Sequence, residues 1–127
     1  MVQGELNMAT EDLCCTLCPY FQVNQGKMAA FKQLCERFVE QTRNEPKCLQ
    51  YGFSFNGDLV HCREGYQDAA GLLAHLENVG SILEEALQLA QLIRLEIHAP
   101  EAELPILREH LSHLSPQFYC LEYGFRR

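Results

Sequence analysis

Hydrophobic and polar residues alternate in five stretches of the chain, which is the pattern of β-strands with two different faces. The stretches are Leu13–Val23, the two halves of residues 48–66, Ile93–His98 and Gln117–Phe125. Asn56-Gly57 divides residues 48–66, and this dipeptide predicts a tight antiparallel hairpin because both residues tolerate positive φ. Pro19 has no N–H to donate to a neighbouring strand, so it predicts that the first strand lies at a sheet edge or carries a bulge.

Three other stretches repeat their apolar residues every three or four positions and predict amphipathic helices. The first follows Gly26 and ends before Pro46, the second starts after an N-cap at Asp68 and continues to Leu87, and the third covers residues 104–114. Asn78 and Gly80 predict a break that divides the second helical region into two pieces.

The predicted order is therefore β-α-β-β-α-β, followed by a C-terminal helix and strand. The first six elements match the ferredoxin-like split βαβ arrangement, an α+β fold in which two helices cover one face of an antiparallel sheet. No linker or internal repeat divides the sequence. We expect one domain over residues 13–127, preceded by a flexible segment of residues 1–12.

A sheet with helices on one face leaves its other face uncovered. Aromatic residues lie on both sides of the alternation, with Tyr20 opposite Phe21 and with Tyr119 and Tyr123 opposite Phe118. A large apolar surface is usually covered by a partner. We therefore predict a homodimer in which two sheets pack face to face around a two-fold axis.

The composition is that of a globular domain and excludes several classes of function. The 127 residues are 47% hydrophobic and 21% charged, with a net charge of -7. Without a cluster of Lys and Arg to neutralise phosphates, nucleic-acid binding is not expected. The apolar stretches are too short for a membrane helix and the N-terminus has no secretory signal, so we expect no membrane association and a cytoplasmic location.

Seven cysteines stand mostly at positions where the pattern calls for an apolar side chain, as expected of reduced thiols in a protein core. Cys15-x-x-Cys18 invites a metal or redox interpretation, but no second ligand pair follows and the two residues fall on opposite faces of a strand. His110 and His113 share a helix face without an evident third ligand. We predict no metal site, and treat Cys35, Cys48, Cys62 and Cys120 as core or near-core residues.

Three short segments carry a resemblance to a known family. Val23–Lys27 read VNQGK, Phe38–Tyr51 read FVEQTRNEPKCLQY, and Glu64–Asp68 read EGYQD, with AHL at residues 74–76. In this order and spacing the chain resembles the antibiotic biosynthesis monooxygenase family, dimeric α+β barrel proteins that include quinol monooxygenases, over roughly Leu13–Ile97. The family pattern of an acidic residue, an aromatic residue, Asp and a helical His corresponds here to Glu64, Tyr66, Asp68 and His75.

The resemblance implies an oxygenation without metal or organic cofactor, performed on a small aromatic or quinol substrate that is held between the sheet and the helices. Many members have Trp where this chain has Tyr66, and this chain contains no Trp. A non-catalytic binding or assembly module on the same scaffold is therefore the alternative. The C-terminal helix and strand are expected to extend the dimer interface or to cap the cavity.

For such a reaction the protein must deprotonate the substrate, stabilise its anion and exclude water. We predict His75, a group that titrates near neutral pH, as the base or as a hydrogen-bond donor to the substrate, with Glu64 or Tyr66 orienting it. Each of the three residues also has a purely structural alternative. His75 would be a hydrogen-bonded histidine, Glu64 part of a cross-strand pair and Tyr66 an aromatic residue of the core. The residues expected to line the substrate pocket are Tyr51, His61, Phe53 and Leu72, with Tyr51 and His61 meeting if the hairpin places them on one face.

Overall fold

The computed structural model describes residues 10–127 and has the predicted order of elements. Its strands and helices are β1 (Cys15–Val23), α1 (Met28–Thr42), β2 (Cys48–Asn56), β3 (Leu59–Tyr66), α2 (Ala69–Asn78), α3 (Gly80–Leu89), β4 (Ala90–Ala99), α4 (Leu104–Leu111), a 3₁₀ turn (Ser112–Leu114) and β5 (Gln117–Cys120). Most of the predicted flexible segment, residues 1–9, lies outside the described residues. Within the rest of that segment, the Thr10 amide donates to the Glu122 carbonyl and Asp12 forms an ion pair with Arg126.

One five-stranded sheet has the order β2-β3-β1-β4-β5. The first four strands are antiparallel to their neighbours, as predicted, and form the ferredoxin-like core. β5 is parallel to β4, because α4 carries the chain back across the sheet before β5 begins. The fold class is therefore confirmed as α+β, with a mixed rather than a purely antiparallel sheet.

Of the two alternatives predicted from Pro19, an edge strand or a bulge, the edge position is not the one observed, since β1 pairs with β3 on one side and with β4 on the other. The second alternative agrees with the structure: the register between β1 and β4 shifts between Tyr20 and Phe21, directly after Pro19. The pairing with β3 passes from Leu17–Glu64 to Tyr20–His61, leaving Pro19 without a paired residue on β3. A central strand thus tolerates the proline through a local interruption of its pairing.

Helix ends behave largely as the sequence indicates. Asp68 caps α2, with its carboxylate accepting a hydrogen bond from the Gly71 amide at 2.9 Å and pairing with Lys47. The predicted break between α2 and α3 falls at Val79, between Asn78 and Gly80. The last strand, in contrast, ends at Cys120 rather than at Phe125. No helix within residues 10–127 is long and apolar enough to span a membrane.

The helices pack on one face of the sheet and create two core clusters. The first lies beneath α1 and α3 and includes Phe21, Phe31, Phe38, Val60 and Ile82. The second lies beneath α2 and α4 and includes Leu17, Tyr66, Leu72, Ile97 and Leu107. The seven cysteines are all free, and Cys120, predicted to be near the core, is exposed because β5 is an edge strand.

The other face of the sheet, which we call the open face, carries alternate residues of the strands and is covered by no helix of the described part of the chain. Its side chains are half-buried or exposed, and they are polar or aromatic more often than aliphatic. Tyr20 stacks on His61 with ring centroids 4.2 Å apart, and His98 stacks on Tyr119 at 4.6 Å. The one-sided covering of the sheet agrees with the sequence prediction.

Candidate functional site

A cavity of about 100 Å³ lies between the sheet and the helices, where the two core clusters meet. Its walls are almost entirely apolar, and its polar groups come from a few side chains on β2, β3 and α2. The lining residues are Leu17, Pro19, Phe21, Phe38, Tyr51, Phe53, Cys62, Glu64, His75, Leu76, Val79, Leu83, Leu87, Leu92, Leu95, Leu111 and Leu114. Leu111 and Leu114 show that the C-terminal extension helps to cap the cavity.

Glu64 is the central polar residue of the site. On β3 it is paired with Leu17 of β1 and Tyr51 of β2, and it faces the helices with 3% of its surface exposed. The Tyr66 hydroxyl donates a hydrogen bond of 2.6 Å to Glu64 Oε1. His75 Nε2 lies 3.3 Å from the same oxygen. The three residues predicted as catalytic are thus in direct contact.

Burial sets the charge of this cluster. It raises the pKa of the Glu64 carboxyl from 4.5 to about 8, although hydrogen bonds from Tyr66 and Cys62 act in the opposite direction. Burial also lowers the pKa of the His75 imidazole, an effect that its hydrogen bond to Glu45 opposes. At pH 7 the cavity therefore holds a protonated carboxylic acid next to a neutral imidazole.

Glu45 orients His75. Its carboxylate accepts the hydrogen bond from His75 Nδ1 at 2.9 Å, and the Asn78 amide donates to the same carboxylate oxygen at 2.7 Å. With the proton on Nδ1, the Nε2 lone pair is directed at Glu64. The sequence prediction missed Glu45 and Asn78. Two features of the sequence could have pointed to them. Glu45 directly precedes the proline that ends the first helix, and Asn78 lies one helical turn after His75, on the same side of the helix.

Two of the four residues predicted to line the pocket do so. Tyr51 and Phe53 are in the cavity wall, with the Tyr51 ring centroid 5.1 Å from that of His75. His61 is paired with Ser54 and lies on the open face, where its ring stacks on Tyr20 and its Nδ1 donates to the Pro19 carbonyl. Tyr51 and His61 therefore do not share a face. Leu72 is fully buried in the second core cluster and does not line the cavity.

The arrangement is suited to moving protons. A general acid and a general base are most useful when their environments hold one protonated and the other neutral near the working pH, as for Glu64 and His75. The apolar walls exclude water and strengthen electrostatic interactions within the site. Among the lining residues, all within the described chain, there is no Lys or Arg to hold an anionic group.

The proteins similar to this chain were found by comparison with solved structures. No family model matches the chain, and no curated protein matches its sequence. The structure of MupZ from Pseudomonas fluorescens is 47% identical, with 93% of this chain and 92% of that chain covered at a TM-score of 0.89.

More distant structures share the fold alone. A protein from Nitrosomonas europaea, described as a putative antibiotic biosynthesis monooxygenase, is 16% identical, with 72% of this chain and 94% of that chain covered at a TM-score of 0.65. A protein from Chloroflexus aurantiacus with the same description is 18% identical, with 68% and 92% covered at a TM-score of 0.58.

Proposed function

This chain belongs to the antibiotic biosynthesis monooxygenase family, with MupZ as a close relative, and from that premise we propose that it is an enzyme that needs no cofactor. It binds a small, mainly apolar molecule in the cavity, and Glu64 and His75 give a proton to it and take one from it. The observation that carries this proposal is the contact between a buried, protonated carboxyl and a neutral imidazole within one apolar cavity.

The first candidate reaction is oxygenation of a phenol or quinol. His75 Nε2 removes the hydroxyl proton, and the electron-rich anion then supplies the electrons that reduce molecular oxygen. The aromatic walls at Phe38, Tyr51 and Phe53 suit such a substrate. The descriptions of the distant relatives name the same class of activity.

The second candidate is a proton-transfer reaction that consumes no oxygen, such as an isomerisation, an addition or an elimination. The electrostatics of the cavity favour it, because a phenolate bound next to His75 would be close to the Glu45 carboxylate, with no Lys or Arg in the cavity wall. A reaction in which Glu64 donates one proton while His75 accepts another creates no net charge in the site.

Paired measurements of substrate and oxygen distinguish these candidates. The protein is incubated in chelator-treated buffer with a panel of quinols, phenols and small apolar alcohols, while substrate loss is followed by mass spectrometry and oxygen by an electrode. We expect conversion that His75→Asn removes and that His110→Asn, a change at an exposed helical histidine, preserves. Equal loss of oxygen and substrate supports oxygenation, and substrate loss alone supports proton transfer.

The same panel tests the non-catalytic alternative. Binding of a panel member without any conversion would refute the enzyme proposal and favour a binding module. Conversion that persists in His75→Asn would remove His75 from the chemistry.

We also propose that two copies associate through their open faces. The support is the five-stranded sheet itself, whose stacked pairs Tyr20–His61 and His98–Tyr119 form flat surfaces with no helix of the described chain over them. Face-to-face packing would bury these rings against a second copy.

Light scattering at micromolar concentration tests this association. We expect twice the chain mass of 14.6 kDa. Tyr20→Glu should give the monomer mass because it places a charge within the interface, whereas Glu36→Lys on the exposed side of α1 should not change the mass. A monomer for the unmodified protein would contradict the proposal.

A further inference from the structure

Three side chains of the kind that bind metal ions meet on the open face of the sheet. Cys18 of β1 and Glu96 of β4 are direct cross-strand partners, and His98 lies two residues beyond Glu96 on the same face. A sulfur, an oxygen and a nitrogen atom from these residues all lie within 4.8 Å of one another, and each side chain is half-buried. The cavity is on the other side of the sheet, so this cluster is separate from the Glu64–His75 site.

The spacing of the donor atoms is close to that of a coordinated ion. For three atoms at most 4.8 Å apart, some point lies within about 2.8 Å of all of them. Zn²⁺ takes sulfur at about 2.3 Å and histidine nitrogen or carboxylate oxygen at about 2.0–2.2 Å. Side-chain movements of roughly half an ångström would complete the contacts. Because the three residues are on adjacent hydrogen-bonded strands, their backbones are already fixed.

The contacts that Glu96 makes leave it able to bind an ion. Its Oε2 accepts a hydrogen bond from Arg94 Nε, whereas its Oε1 faces His98 Nε2 at 3.0 Å. Arg94 is itself tied to Gln117, with Nη2 donating to the amide oxygen at 2.9 Å. An ion placed between Oε1 and Nε2 would replace a single hydrogen bond, and Arg94 would continue to orient the carboxylate from the outer side.

We propose that Cys18, Glu96 and His98 form a binding site for a divalent cation of the Zn²⁺ type. A thiolate, a carboxylate and a neutral imidazole together balance the charge of such an ion, and this mixture of sulfur, oxygen and nitrogen ligands suits Zn²⁺ better than Mg²⁺ or Ca²⁺. Three protein ligands leave the fourth tetrahedral position for another ligand, and this position lies within the interface when two copies associate through their open faces.

Cobalt absorption tests the site on the reduced, full-length chain. The protein is first treated with chelator and then titrated with Co²⁺, whose bond to a thiolate gives a charge-transfer band in the near ultraviolet. We expect the band to saturate at one Co²⁺ per chain and to disappear when one equivalent of Zn²⁺ is added. Cys18→Ser should remove the band, and Glu96→Gln and His98→Asn should each weaken Co²⁺ binding by at least about 10-fold.

Matched thiol variants distinguish a built site from chance binding by an accessible cysteine. Cys120 is the exposed cysteine and Cys14 is half-buried, and neither belongs to the cluster. Cys120→Ser and Cys14→Ser should therefore keep the full band. A band that persists in Cys18→Ser, or that is lost in Cys120→Ser, would overturn the proposal, as would the absence of any band. Circular dichroism of each variant verifies that a lost band does not reflect unfolding.

Discussion

Glu64→Gln is expected to lower turnover by about 10²- to 10⁴-fold, the usual contribution of a positioned general acid or base. Glutamine has nearly the same shape and still offers an oxygen to the Tyr66 hydroxyl, so the fold and the substrate pocket should be preserved. What the variant lacks is the acidic proton that the buried carboxyl carries at pH 7. The loss should therefore appear in kcat with little change in KM.

The pH dependence of turnover gives an independent signature of the same pair. Activity should fall as the pH rises through about 8, because Glu64 then loses its proton. It should also fall on the acid side, below the ordinary pKa of 6.5 for histidine, because His75 becomes protonated there. Steady-state rates from pH 5 to 10, with the substrate that the panel identifies, measure both limbs. A Glu64→Gln variant with unmodified turnover would exclude Glu64 as the acid.

The strands and helices were predictable from the sequence because each has one face toward a core. Apolar residues therefore recur every second position in a strand and every three or four positions in a helix. Pro19 left two alternatives for β1, an edge strand or a bulge, because a local property of one residue does not specify which strands pair with it. The missing N–H of proline disfavours a central strand, but pairing on both sides of Pro19 is secured by many other residues of β1. The cost of interrupting the pairing with β3 at Cys18 and Pro19 is small beside the burial of Leu17 and Phe21.

The candidate site shows the same division between local and tertiary information. Glu64 and Tyr66 are two residues apart on a strand, so the sequence placed them on one face, and the structure agrees. His61 is three residues before Glu64 and must lie on the opposite face of a regular strand, a consequence that the prediction of a shared pocket overlooked. Glu45 approaches His75 only through the packing of α1 against α2, which no periodicity in the sequence specifies.

The buried carboxyl also predicts a large effect on stability that needs no substrate. Glu64 titrates at about 8 in the folded protein, against an ordinary value of 4.5. Between these values the folded chain holds a proton that the unfolded chain has released, so the free energy of unfolding must decrease as the pH rises. At about 1.4 kcal/mol per unit of pKa difference, the contribution lost between pH 5 and pH 9 is roughly 3–5 kcal/mol.

Comparison with Glu64→Gln isolates this contribution, because His75 and other groups also alter the pH dependence. His75, with its lowered pKa, acts in the opposite direction: its contribution to stability is present above pH 6.5 and is lost as the pH falls.

Urea unfolding from pH 5 to 9 should show the unmodified protein losing stability relative to Glu64→Gln as the pH rises. Glu40→Gln, a change at an exposed position of α1, should follow the unmodified protein. If Glu64→Gln and the unmodified protein lose stability in parallel, Glu64 is already ionised at neutral pH, and the general acid of the proposed reaction must be another group.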